Sequence, residues 1–234
     1  VPVAFDLNCD VGELEELLAN GSQARLLESA TSVNICCNAH AGSEDLILRT
    51  LEMSRELRVG AHPGFPDRAS FGREVVAMAF ESLVSCIREQ LEWFGERAAV
   101  AGVERISHVK AHGALYNAAV RDTEVARAIA EAVRSWRRDV ILVGLAGSSM
   151  LDVFREAGFE VWAEGFADRA YEADGSLRSR RLAGALIEDP EVAAAQAVRL
   201  MRDPGVDTIC VHSDTPGAVS IARAVRAALD GAAV

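Results

Sequence analysis

The sequence contains no apolar run of the roughly 20 residues needed to span a bilayer, so no membrane segment is expected. Its first residues, VPVAFDLNCD, have no basic stretch leading into an apolar stretch and a cleavage site, so no secretory signal is expected either. Positive charge is scarce. There are 24 Lys and Arg against 35 Asp and Glu, a formal net charge of -11. That balance excludes a general nucleic-acid binder, which needs clustered basic residues for phosphates, but leaves room for a local basic pocket. The five cysteines, Cys9, Cys36, Cys37, Cys86 and Cys210, are odd in number and show no CxxC spacing. Reduced thiols and a cytoplasmic setting are expected, not a disulfide framework or a zinc finger. No GxxxxGK[ST] loop is present, so ATP is not expected to bind in the P-loop manner. No GxGxxG follows a strand, which weakens a dinucleotide-binding reading. Low-complexity segments, linkers and charge blocks are also missing, so residues 1–234 are expected to form one domain.

What the 234 residues do have is a 50% hydrophobic content, enough for a sizeable core, and a recurring short strand followed by a helix. The predicted strands are VAFDLNCD (3–10), TSVNICCN (31–38), RVGAHPG (58–64), SHVKAHG (107–113), VILVGLAG (140–147), EVWAEGFAD (160–168) and TICVHSD (208–214). Helical spacing of apolar residues marks 44–57, 77–100, 123–138, 150–158, 190–203 and 216–230. Pro190 and Pro216 suit the first turns of the last two. Alternating strands and helices predict parallel pairing with right-handed crossovers. Seven such units predict an α/β fold, a TIM-like (β/α) barrel with seven strands. The alternative is an open doubly wound sheet.

Strands covered by helices usually read as unbroken apolar runs, and several of these do not. Asp6, Asn8 and Asp10 alternate with Phe5, Leu7 and Cys9, and Asn34, Cys36, Asn38 and His40 form one set opposite Val33, Ile35 and Cys37. His62 ends the third strand. His108, Lys110 and His112 share one face of the fourth, which leaves Ala111 facing outward. Glu164 and Asp168 share a face of the sixth, and His212 and Asp214 share a face of the seventh. The polar faces are expected to converge inside the barrel, toward the C-terminal strand ends, where active sites of this architecture lie. A lone strand histidine is commonly a hydrogen-bonded core residue. Several ionisable motifs in one phase are costly to bury unless they pair, bind metal or react. Two loops add charge: GAHPGFPDRASFGRE (60–74) offers Arg68 and Arg73, and FADRAYEADGSLRSRRLAGA (166–185) offers Arg169, Arg178, Arg180 and Arg181. Arginine forks suit carboxylate or phosphate, although Arg178 and Arg180 also read as a solvated loop. In VHSDTPGAV (211–219), a strand end opening into a helix can cradle an anion.

DLNCDVGE, VNICCNAHAG, GAHPGFPDR with FGRE, HVKAHGALYN, AEGFADRAYEADGSLRSR and ICVHSDTPGAV together resemble the LamB/YcsF family, over residues 6 to 219. The resemblance implies a seven-stranded barrel of the glycoside hydrolase/deacetylase type. It also implies a hydrolase acting on a cyclic amide, with ATP-dependent opening of 5-oxoproline to L-glutamate. ATP would be handled with two partner proteins, 5-oxoprolinase subunits B and C. The family pattern usually reads NIACGFHAGD where this chain has NICCNAHAGS, so Cys37, Asn38, Ala39 and Ser43 depart from it. Ala111 stands where proline is usual, Ser213 where glycine is usual, and LEELLANGSQ lacks the usual glycine-aromatic loop.

On this reading Asp10, His62 and His112 are candidates for a divalent-metal or water-activating centre. Lys110 is the candidate for stabilising developing negative charge. Arg68 or Arg169 would hold the substrate carboxylate, with Asn8, His40, His212 and Asp214 as further substrate-binding candidates. A metal-free design, with Asp10 and a histidine as acid and base and Lys110 as electrophile, suits the same residues. Two other functions remain open: a stand-alone metal-dependent amidase or deacetylase, and a non-enzymatic protein that binds a carboxylic acid for a partner.

Overall fold

The structure, a computed structural model, describes residues 5–232. Seven parallel strands close into a barrel in simple sequence order: β1 (Asp6–Val11), β2 (Ser32–Cys36), β3 (Arg58–His62), β4 (Ile106–Lys110), β5 (Ile141–Leu145), β6 (Val161–Phe166) and β7 (Thr208–His212). Each predicted strand is present, though most are shorter at the C-terminal end than expected. Positions 3 and 4 of the first prediction lie outside the described residues. β1 closes the barrel by pairing with both β2 and β7, which sets Asp10 beside Asn34 on one side and His212 on the other.

The helices are α1 (Glu15–Ala19), α2 (Ser22–Leu27), α3 (Glu44–Met53), α4 (Phe80–Val100), α5 (Gly113–Arg121), α6 (Thr123–Trp136), α7 (Ser149–Glu156), α8 (Pro190–Met201) and α9 (Ala218–Ala232). Sequence signals fix several starts. The Ser43 hydroxyl accepts from the Leu46 N–H at α3, Asp122 caps α6, and Asp189 caps α8 with Pro190 in the first turn. Pro216 instead sits in the turn before α9. The outward strand residues, among them Leu7, Cys9, Val33, Ile35, Val109, Ile209 and Val211, pack with the helices into the apolar core. No helix among the described residues is long and apolar enough to cross a membrane.

Period-two geometry turns the other side chains inward, and they fill the barrel in tiers. At the bottom, Asp6 accepts hydrogen bonds from Thr31, Ser32 and Thr208 and pairs with Arg58 at 3.1 Å. Asp6 is therefore a plug, remote from the upper residues. In the middle, Asn34 Nδ2 donates to Asn8 Oδ1 at 2.7 Å and to Asp10 Oδ1 at 2.8 Å, while its own Oδ1 lies 2.8 Å from His108 Nε2. His108 reaches that position because β3 carries Gly60 beside it. A β-carbon there would fall 2.2 Å from His108 Nε2.

Two expectations fail at strand ends. β2 stops at Cys36, and Asn38 adopts a φ of 63°, so Asn38 and His40 leave the strand's alternation. β4 stops at Lys110, and the chain then enters α5, a helix the sequence pattern does not predict. His112 is the residue before that helix, and Ala111, past the end of the strand, borders the cavity and belongs to the apolar core.

Candidate active site

At the C-terminal mouth of the barrel lies a cavity of about 480 Å³. Its floor includes Asp10, Glu13, His62, Lys110, His112 and His212, and its rim includes Arg73, Arg169, Arg180 and Asp214. A volume of that size suits a small molecule.

One centre is built on Lys110. Its ammonium lies 2.9 Å from Asp10 Oδ1, 2.7 Å from Glu164 Oε1, 3.3 Å from Asn8 Oδ1 and 3.1 Å from Cys210 Sγ. All of these groups are buried. Burial disfavours the lysine's charge, but Asp10 and Glu164 outweigh it and hold the ammonium charged, well above its ordinary range. Burial likewise works against the Asp10 carboxylate, yet Lys110 and then His62 hold it well below the usual carboxylate range. The Cys210 thiol is pushed up by burial and by Asp10, so it is a protonated, inert group. Tyr116 is buried near Glu164, and burial and that charge push its hydroxyl well up.

The second centre is built on Glu13. Gly12, at a φ of 75°, turns the chain out of β1 and sends the Glu13 carboxylate back over the barrel mouth. Glu13 Oε1 lies 3.0 Å from His40 Nε2, 3.1 Å from His112 Nδ1 and 3.9 Å from His62 Nε2. Burial would raise this carboxyl, but His112 and His40 hold it well below the usual range. Burial, with His112 beside it, pushes His40 down to about 4, so its ring is neutral. The ring protons follow from the partners. His62 Nδ1 is 2.8 Å from the Lys110 carbonyl, and His112 Nε2 is 2.9 Å from the Phe71 carbonyl. A carbonyl only accepts, so those two nitrogens carry the protons. His62 Nε2 and His112 Nδ1, 3.1 Å apart, face each other and Glu13; in the neutral rings both are lone pairs, which only a shared proton or a cation can hold together. His212 completes the floor. Its Nδ1 is fixed by Asp168 at 3.0 Å, and its Nε2 lies 3.8 Å from Asp10 Oδ2. Burial opposes the Asp168 charge, but His212 and Thr215 hold its carboxyl below the ordinary value.

The structure brings Asp10, His62, Lys110, His112, Arg169, His212 and Asp214 to one cavity. Three of the residues expected to bind substrate are engaged elsewhere. Asn8 lies below the cavity floor, with its amide between Lys110, Glu164, Thr208 and Asn34. His40 is fully buried behind Glu13. The Arg68 guanidinium donates to the carbonyls of Asn38, Ala41 and Gly42, clamping the loop after β2 instead of entering the cavity. Asp214 is on the rim, but it is paired with Arg73 and Arg180. Arg169 is the buried arginine of the wall, and its Nε has no hydrogen-bond partner among the described residues. Burial, with Arg180 nearby, pulls it down to about 10, still charged at neutral pH.

Glu13 is visible beside Asp10 in DLNCDVGE, but only the turn at Gly12 reveals where it points. Arg180 carries no signal beyond the arginine cluster of its loop.

A family model described as the LamB/YcsF family matches residues 5–234. A relative from Chloroflexus aggregans, named as the A component of 5-oxoprolinase, is 44% identical over 99% of this chain and 97% of its own length. The crystal structure of a lactam utilization protein from Thermus thermophilus superposes with a TM-score of 0.87 at 38% identity, covering 98% of this chain and 97% of that one. A deacetylase solved with its substrate, T48, covers 98% of this chain and 85% of its own at 16% identity and a TM-score of 0.50. It shares the fold alone.

Proposed function

The chain belongs to the LamB/YcsF family, and from that premise we propose that it is the lactam-opening component of an ATP-dependent 5-oxoprolinase. In this role it converts 5-oxoproline to L-glutamate together with partner subunits, the B and C components. The observation that carries the reading is the meeting of Asp10, Glu13, His62, Lys110, His112 and His212 on the floor of one cavity whose wall holds the buried Arg169.

Hydrolysis of a lactam forms a bond from water oxygen to the carbonyl carbon and breaks the ring C–N bond. Water must lose a proton, the carbonyl oxygen gathers negative charge, and the departing nitrogen must gain a proton. Lys110 is a preformed positive charge for that oxygen, held by Asp10 and Glu164 so that no reorganisation is needed during reaction. The His62 Nε2 and His112 Nδ1, lone pairs when their rings are neutral, suit proton removal from water and its return to the nitrogen. Arg169 is the candidate for the substrate carboxylate, a role its unpartnered Nε supports.

Neutral imidazole nitrogens beside carboxylate oxygens also fit a divalent metal, which would be held by His62, His112 and a carboxylate. When bound, such an ion polarises a carbonyl or lowers the pKa of water. The sequence has no P-loop, which supports placing the ATP chemistry on the partner subunits. The same set of lone pairs favours, as a second reading, a metal-dependent amidase that works alone.

Turnover separates the two. Glutamate should form from 5-oxoproline only when this chain, the partner subunits and ATP are all present. Steady turnover by the metal-loaded chain alone, without ATP, would replace the first reading with the second.

A further inference from the structure

We propose that Glu13, His62 and His112 form a divalent-cation site that this chain builds without partners, with Glu13 and not Asp10 as its anionic ligand. This site deepens the active-site reading above and rests on it for its catalytic meaning, but not for the binding itself.

Three atoms carry the proposal: Glu13 Oε1, His62 Nε2 and His112 Nδ1, with mutual separations of 3.1, 3.1 and 3.9 Å. The Lys110 and Phe71 carbonyls oblige the far nitrogens of both rings to carry the protons. With both rings neutral, all three converging atoms are acceptors, an arrangement that a cation or a shared proton must hold together. A point equidistant from the three lies about 2.0 Å from each, within the range of zinc bonds to imidazole nitrogen and carboxylate oxygen. An ion there would lie within the triangle of the three atoms, leaving positions open above and below their plane. The two histidines also have the backing that metal-bound imidazoles usually show, each fixed through its other nitrogen. His40 completes the arrangement as a positioning residue. Its Nε2–H donates to Glu13 Oε1 at 3.0 Å and holds the carboxylate in place.

Asp10 is less suited. Its Oδ1 accepts from Lys110 Nζ and Asn34 Nδ2, and its Oδ2 stands 3.5 Å from His62. A second convergent set, Asp10, Cys210 and His212, already surrounds a cation, because the Lys110 ammonium touches both Asp10 and Cys210.

The test uses the full chain, stripped with chelator and titrated with cobalt(II) alone, followed by visible absorption and by equilibrium dialysis. One cobalt per chain should bind, with d–d bands and no thiolate-to-cobalt charge transfer. Affinity should fall at least 100-fold in Glu13→Gln and in His62→Gln, and by less than about tenfold in Asp10→Asn. The wild-type spectrum decides the matter even if a variant misfolds. Absence of stoichiometric binding, or a thiolate band from Cys210, overturns the proposal, as does loss of binding in Asp10→Asn with retention in Glu13→Gln. Because neither lactam nor ATP is present, failure here leaves the proposed reaction standing, and failure of turnover leaves the cation site standing.

Discussion

Replacing Lys110 with methionine removes a charge while keeping a long side chain. The ammonium sits 2.9 Å from Asp10 and 2.7 Å from Glu164, and both carboxylates are buried. In the variant they would lie within about 6 Å of each other with no cation between them, a separation at which like charges drive one group to protonate. Breaking a buried pair by removing one partner costs about 3–5 kcal/mol. In a chain of this size each kcal/mol moves the midpoint by about 2–4 °C, so Lys110→Met should melt roughly 10 °C lower at pH 7.5. The sign of the pH dependence follows from the protons. In the wild type the Asp10 carboxyl is depressed, so its contribution is complete above the unfolded carboxylate value of about 4 and is lost as pH falls. In Lys110→Met one carboxyl is raised instead, the folded state takes up a proton, and the variant gains stability as pH falls toward that value. The gap between the two proteins should narrow from pH 7.5 to pH 5, and adding Glu164→Gln should recover part of it. Urea unfolding at both pH values measures this. A variant as stable as wild type at pH 7.5, or a gap that widens on acidification, would refute the reasoning.

Three further outcomes follow from individual contacts. Gly60→Ala places a β-carbon against the His108 ring and should cost about 1–3 kcal/mol of overpacking, seen as a lower urea midpoint with an unchanged slope; an unchanged midpoint contradicts the tight crossing. Burial pushes His108 down to about 4, so the unfolded chain binds a proton there that the folded chain refuses, and stability falls as pH drops from about 6.5 to 4. His108→Gln should reduce that slope by close to one proton, and an unaltered slope would show that His108 is not its source. Arg169→Ala removes a charged hydrogen-bond donor of about 1.5–3 kcal/mol, so kcat/KM for 5-oxoproline should fall about 10- to 100-fold, without rescue by Arg169→Lys; an unchanged KM would move the carboxylate site elsewhere.

The barrel was legible because its inward strand faces are polar and its outward faces apolar. The alternation of Asp6, Asn8 and Asp10 with Leu7 and Cys9 is enough to say which way β1 faces. Legibility ends where the strand does. Reading HVKAHG as one strand correctly pairs His108 with Lys110, but it carries the alternation past Lys110 into a turn and a helix, and so misses α5. Helices α1 and α2 are too short for apolar spacing to mark them. Among the charged loop residues, composition could not separate Arg68, spent on backbone carbonyls, from Arg169, left with a free donor. That difference depends on how the loops after β2, β3 and β6 fold over one another, a long-range property with no local signature.

The central claim is that this chain carries the groups that open the lactam. The most direct test is glutamate formation from 5-oxoproline and ATP by the complex reconstituted with its partner subunits, comparing wild type with His112→Ala and Asp10→Ala after confirming that each variant folds and assembles. Glutamate is expected from the wild-type complex, with a loss of at least 100-fold in both variants. Glutamate formation at the wild-type rate in either variant, or in a mixture lacking this chain, would contradict the claim.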